Sequence, residues 1–184
     1  LIKKRYLARS VILSLSILLL LTFLFSCAPA AEQSNEIILG VPVATGFPDG
    51  ASAVRNINFA VEEINNAGGV NVGGRNYNFT VEVMDTRDLE PGVPTSEALL
   101  AVEKLILEKN ADFLVGGPIR SEAAMAAMDL ISKYQTISII SSGVLSPAYD
   151  KKIAEDYDKY KYCFRTSGSV VPMIDESISV LESI

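Results

Sequence analysis

"ADFLVGGPIRSEAAMAAMDLISKY", residues 111–134, decides how this chain is read. "ADFLVGG" is a short apolar run bounded by glycines, which reads as a buried strand. Gly116, Gly117 and Pro118 then call for a tight turn in which the backbone can approach a ligand closely. "SEAAMAAMDLISKY" follows with Ala124, Met128 and Ile131 at the spacing of one inward helix face. Strand, glycine turn and helix make one unit of a parallel sheet, and such sheets bind ligands outside the carboxyl ends of their strands. Ser121 stands where the helix should begin. It can cap its own helix, or offer a hydroxyl to an anion drawn to the free N–H groups there. Arg120 beside it is either an exposed loop cation or a second contact for that anion.

The same alternation extends in both directions. "EIILGVPVA" (36–44) is a first strand. "DGASAVRNINFAVEEINNAGG" is a helix with Val54, Ile57, Val61 and Ile64 at helical spacing, Asp49 as its expected N-cap and Gly68-Gly69 as its stop. "YNFTVEVMD" (77–85) alternates like a strand with one wetter face. "TSEALLAVEKLILEKN" is a helix capped by Thr95 or Ser96, with Ala98, Val102, Leu105 and Ile106 inward. "TISIISS" (136–142) and "YKYCFRTS" (160–167) are further strands, and "VPMIDESISVLESI" begins a last helix. The expected fold class is α/β, a parallel sheet flanked by helices on both faces.

Composition closes off much chemistry. The 184 residues include no histidine and two cysteines, Cys27 and Cys163. That excludes a Ser-His-Asp triad, a Cys-His pair, His-containing zinc sites and a CxxC redox pair. Without residues 1–26 the chain carries 12 basic and 22 acidic side chains, a net charge of −10 against −6 for the whole. Nucleic acid is not the partner of such a surface. No metal or cofactor is called for. "DTRDLE" (85–90) is expected to be a solvated acidic loop rather than a calcium site. "NAGGVNVGG" follows a helix instead of opening one, so it reads as a C-cap and turn, not a phosphate loop. Cys163, in an apolar strand, reads as a buried free thiol.

The first residues are an address. "LIKKRYLARS" is basic, and "VILSLSILLLLTFLF" (11–25) is an uncharged apolar run of 15 residues. "LFSC" (24–27) resembles a lipobox, which makes residues 1–26 a signal peptide and Cys27 the lipidated first residue of the mature chain. Phe25 is larger than the residue usual there. Cleavage after "APA" (28–30) and an uncleaved anchor are the alternatives, and all three export the chain. Residues 27–35 read as a tether.

Seven segments then come in a familiar order: "IILGVPVATG", "FAVEEINNAGGV", "TVEVMDTRD", "AVEKLI", "ADFLVGGPIRSEAA", "TISIISSGVLSPAY" and "YCFRTSGS". Together they resemble the leucine/isoleucine/valine-binding proteins, type I periplasmic-binding-protein-like receptors of branched-chain amino-acid ABC transporters. The resemblance runs from residue 36 to about 170. It implies two α/β lobes with a solute clamped between them, residues 36–168 forming lobe one and 169–184 opening lobe two, so that the chain is an N-terminal fragment. It implies that Ser121 receives the solute's carboxylate. In the loop after the fourth strand it implies a backbone carbonyl for an ammonium group, from Gly143 or Val144. The family's second hydroxyl position, just before Ser146-Pro147, is Leu145 here. That contact is lost, and either Ser141 or Ser142 substitutes or the solute is less polar at that end. Phe47 takes the place of the aromatic residue that covers the ligand if the loop shifts by two, where Asp49 otherwise falls.

The function implied is an extracytoplasmic solute-binding receptor, not an enzyme, for an amino-acid-like or amide-like solute. Its partners would be a permease, an ATPase and the membrane through a lipid anchor, on the outer face of the cell membrane or in the periplasm. A ligand-sensing ectodomain of a signalling protein is the alternative.

Overall fold

A computed structural model describes residues 35–141 and 143–184. Six strands form one sheet: β1 Glu36–Val43, β2 Val70–Val72, β3 Arg75–Asp85, β4 Phe113–Gly116, β5 Ile137–Ile140 and β6 Cys163–Arg165. Their order across the sheet is β2-β3-β1-β4-β5-β6. The pairs β1/β3, β1/β4, β4/β5 and β5/β6 are parallel, and β2 adds an antiparallel edge. The helices are α1 Pro48–Asn66, α2 Thr95–Leu107, α3 Ser121–Tyr134, α4 Ala148–Glu155, α5 Tyr157–Tyr160 and α6 Val170–Glu182. The expected α/β class and parallel sheet are present.

The chain leaves β1 in one direction, to β3, and then crosses back to β4 on the other side of β1. That reversal puts the topological switch point between β1 and β4. Alternation along the strands sorts the helices onto two faces. A Cβ on Gly40 would meet Ala111, Leu114 and Leu105, so this side of β1 faces α2. The core there joins Val102 and Leu105 of α2 to Ala124, Ala127, Met128 and Ile131 of α3, with Leu114, Ile140, Tyr149 and Cys163. Val41 and Val43 point the other way, toward Ile57 of α1. On that second face the remaining strands are thinly covered among the described residues. Ile137 is 37% and Phe164 50% exposed.

Several local expectations need correction. The stripe of α1 is only half-buried, and Ile64 is exposed, because α1 covers the β1 and β3 side of its face alone. Asp49 is not an N-cap. The helix opens two residues earlier than that cap implies, with Phe47 at the cap position and Pro48 at N1, where a missing N–H costs nothing. Neither Thr95 nor Ser96 caps α2; Pro94 holds that position without a side-chain bond. "VNVGGRN" is more than a C-cap and turn. Gly73 and Gly74, at φ 58° and 84°, turn β2 back onto β3 as a hairpin. The segment "EINNAGG" has a role the sequence alone did not show. Asn65 donates to the Phe79 carbonyl at 2.9 Å and accepts from its N–H at 2.8 Å, pairing with β3 as a strand would.

Cys163 is a buried free thiol, and burial pushes its pKa up to about 11. Helix α6 buries none of its residues. Val171, Met173, Ile174, Ile178 and Leu181 are all open to solvent. Among the described residues no helix is long and apolar enough to cross a membrane. Cys27 and residues 1–26, read above as a signal peptide, lie outside the described residues.

Candidate functional site

The carboxyl ends of the five parallel strands meet at one edge, and a cleft of about 690 Å³ opens there beside the switch point. One wall is α1. Asp49, Ser52 and Asn56 lie one turn apart along it, next to an apolar strip of Ala53, Ile57 and Ala60. The floor and far wall are Val115, Ile119, Ser141, Gly143 and Leu145, from the ends of β4 and β5 and the loops after them. The lining is therefore apolar in the middle, with a carboxylate, an amide and hydroxyls at its margin. That combination suits a small solute with an apolar body and few polar groups.

Left-handed backbone makes the cleft. Gly116 and Gly117 have φ 95° and 85°, and Gly143 has φ 65°. A Cβ on Gly143 would stand 2.5 Å from the Ile119 carbonyl oxygen, so the two loops touch through bare backbone. The Val144 N–H donates to that same carbonyl at 3.1 Å. The expected sharp turn after β4 is thus built as a pair of interlocked loops.

The expected site residues fall in three groups. Asp49, Gly143 and Leu145 line the cleft, and Leu145 is 43% exposed there. Ser121 and Arg120 do not line it. Ser121 is half-buried as the first residue of α3, with Arg120 at the cap position, and no side chain caps the helix. The Arg120 guanidinium reaches Thr95 at 3.2 Å and approaches Glu122 at 3.9 Å, tying the start of α2 to α3. Val144 is buried, and its carbonyl already accepts from Arg165 at 2.6 Å. The Gly143 carbonyl accepts from the Ser167 hydroxyl at 3.0 Å. Phe47 is half-buried at the entry to α1, and Ser142 lies outside the described residues.

Five residues have roles that the sequence did not show. Arg165 of "FRT" is 6% exposed at its side chain. It donates to Val144 and Ser146 carbonyls, pairs with Asp150 and lies over the Tyr149 ring. It is a buried cation holding the 143–146 loop in place. The loop "DTRDLE" is not simply solvated acid: Thr86 and Asp88 are 0% and 1% exposed. Asp88 accepts from the Thr86 hydroxyl and from the Arg120 N–H at 2.6 Å. Ser52 and Asn56 could have been found from sequence, since they follow Asp49 at helical spacing. Among the described residues no group of three Cys, Asp or Glu gathers as a metal site.

Solved structures share this architecture. A Silicibacter pomeroyi protein assigned as a branched-chain amino acid ABC transporter aligns with a TM-score of 0.60 at 20% identity, over 73% of this chain and 32% of that one. A solute-binding protein of an ABC transporter from Rhodopseudomonas palustris BisB5, solved with 3,4-dihydroxybenzoic acid, aligns with a TM-score of 0.53 at 18% identity, over 73% and 32%. An ABC transporter substrate-binding protein from Sphaerobacter thermophilus gives 0.53 at 18%, over 79% and 37%. The chain has the fold of a type I periplasmic binding protein. It spans about one third of the length of these neighbours. The sequence matches no protein-family model, and no curated protein matches it.

Proposed function

We propose that this chain is the first lobe of an extracytoplasmic solute-binding receptor of an ABC transporter. The observation that carries the proposal is the cleft at the switch point, walled by α1 and by the two glycine-turned loops after β4 and β5. A receptor of this kind needs no nucleophile and no base, in keeping with a chain that has no histidine. The solute is a small organic molecule with an apolar body. It would lie against Ile57, Val115, Ile119 and Leu145, and its polar end would extend past that lining to Ser121 at the amino end of α3, the contact the family resemblance implies.

The bare apolar side of α6 supports its assignment as the opening element of a second lobe, which would close over the cleft. The thinly covered strands β4–β6 offer a returning segment of that lobe a place to pack. The lipobox supports Cys27 as the lipid anchor, with a permease and ATPase as the proteins that receive the solute.

Calorimetry on the complete protein tests this, with L-leucine, L-isoleucine, L-valine, benzoate and 4-hydroxybenzoate as probes. The last two are chosen because Leu145 replaces a hydroxyl. At least one probe should bind, and Ser121→Ala should weaken it by about 1–3 kcal/mol, roughly 5- to 150-fold. Unchanged affinity in Ser121→Ala would remove that hydroxyl from the site.

A further inference from the structure

We propose that Asp88 is a positioning residue of the solute site. Its buried carboxylate holds the 117–121 turn in shape by accepting the Arg120 N–H. This rests on the reading that the turn receives the solute.

A carboxylate taken out of water is costly unless hydrogen bonds replace its hydration. Asp88 is 1% exposed, and its two oxygens are both used. Oδ1 accepts from the Thr86 hydroxyl, which is itself fully buried, and Oδ2 accepts from the Arg120 N–H, 32 residues away, at 2.6 Å. A backbone N–H donating to a carboxylate makes a charge-assisted bond, stronger than one between neutral groups. Arg120 is the residue at which the chain leaves the left-handed Gly116-Gly117 pair and enters α3. Its N–H has no helical partner there, because it precedes the first turn. Asp88 supplies that partner and so fixes the Ile119–Arg120 peptide plane, one residue ahead of the peptide that leads into Ser121.

The same short segment also grips the loop that leads from β1 into α1, the helix that forms one wall of the cleft. Asp85 accepts from the Thr45 N–H at 3.1 Å, in the loop between β1 and α1, and from the Arg87 N–H at 3.0 Å. The Thr86 N–H donates to the Val43 carbonyl at 3.1 Å. Between the two aspartates Arg87 is held at φ 51°, a conformation that costs a non-glycine residue energy and persists only where its surroundings enforce it. Residues 85–88 thus brace the loops after β1 and β4 from behind, without lining the cleft. A core-filling role would need neither the charge nor the reach to Arg120.

Amide hydrogen exchange on the complete protein separates these roles. Asp88→Ala should speed exchange at Arg120 and its neighbours in 117–121 at least tenfold, while amides of β1, β5 and the later turns of α3 keep their protection. Asp88→Asn, whose carbonyl can still accept from Arg120 while its amide donates to Thr86, should restore most of it. Uniform acceleration across the sheet would mean a merely structural residue, and unchanged exchange at 117–121 would also overturn the proposal. If Asp88→Ala does not fold, Thr86→Val and Asp88→Asn carry the test, since loss of the Thr86 bond should loosen Arg120 severalfold and spare β1. Calorimetry with the probes above then reports on the site. Tenfold weaker binding in Asp88→Ala, rescued in Asp88→Asn, supports the proposal. Local loosening with unchanged affinity in both Asp88→Ala and Ser121→Ala would instead displace the solute from this turn.

Discussion

Gly143→Ala should be among the most damaging single-methyl additions in this chain. Two costs combine. At φ 65° an L-residue loses about 1 kcal/mol to its own backbone. The new Cβ would also stand 2.5 Å from the Ile119 carbonyl oxygen and 2.9 Å from its Cα. Those atoms are backbone and cannot rotate aside, so the loops must separate, at about 1–3 kcal/mol. The expected total is about 2–4 kcal/mol. Gly73→Ala is the matched control. Gly73 has φ 58°, yet nothing lies within 4 Å of its Cβ position, so only the backbone cost of about 1 kcal/mol applies. Urea denaturation of both variants isolates the contact. With an m-value of about 2 kcal/mol/M, the midpoint of Gly143→Ala should fall about 1 M further than that of Gly73→Ala. Equal shifts would refute the argument that the two loops meet through backbone.

Two further outcomes are expected. Asn65→Ala should cost about 1–3 kcal/mol, because it strips the partner from both the N–H and the carbonyl of Phe79; a loss below about 0.5 kcal/mol in urea denaturation would mean that water replaces both bonds. Hydrogen bonds from Lys159 first, then Tyr160 and Lys152, hold the Asp129 carboxyl down at about 2. A lowered pKa stabilises the fold above the unfolded value near 4, and that contribution fades as pH falls from about 4 toward 2. Asp129 is half exposed, so screening keeps each pair below about 1 kcal/mol. The gap in urea midpoint between wild type and Asp129→Asn should close over that window, and a gap independent of pH would contradict the assignment.

Much of the fold was legible because its signals are local. Helix α3 occupies the span that its periodicity predicts, with Ala124, Met128 and Ile131 buried. The Gly116-Gly117 turn has the left-handed backbone that only glycine adopts freely. The helix starts were less legible. A polar residue before an apolar stripe is a common cap signal, but proline at or beside the first position satisfies the same end by lacking a donor, and it did so at α1 and α2. The hairpin at Gly73-Gly74 was hidden because "VNV" is too short to show a period.

The sequence by itself determined the alternation of strands and helices, the edge at which a solute could sit, and the chemistry ruled out by the absence of histidine. Those properties depend on residue type and on spacings of two to four positions. The tertiary structure decided which polar groups remain for a solute and which are spent inside the protein. Arg120 and Arg165 both stand where a strand gives way to a loop, yet one ties two helices together and the other is buried beneath a loop. Asp49, expected as an N-cap, lines the cleft, and Asp88, expected in a solvated loop, is buried behind it. A hydrogen bond between residues 32 positions apart leaves no local pattern, because its strength depends on distance and burial that only the folded chain creates.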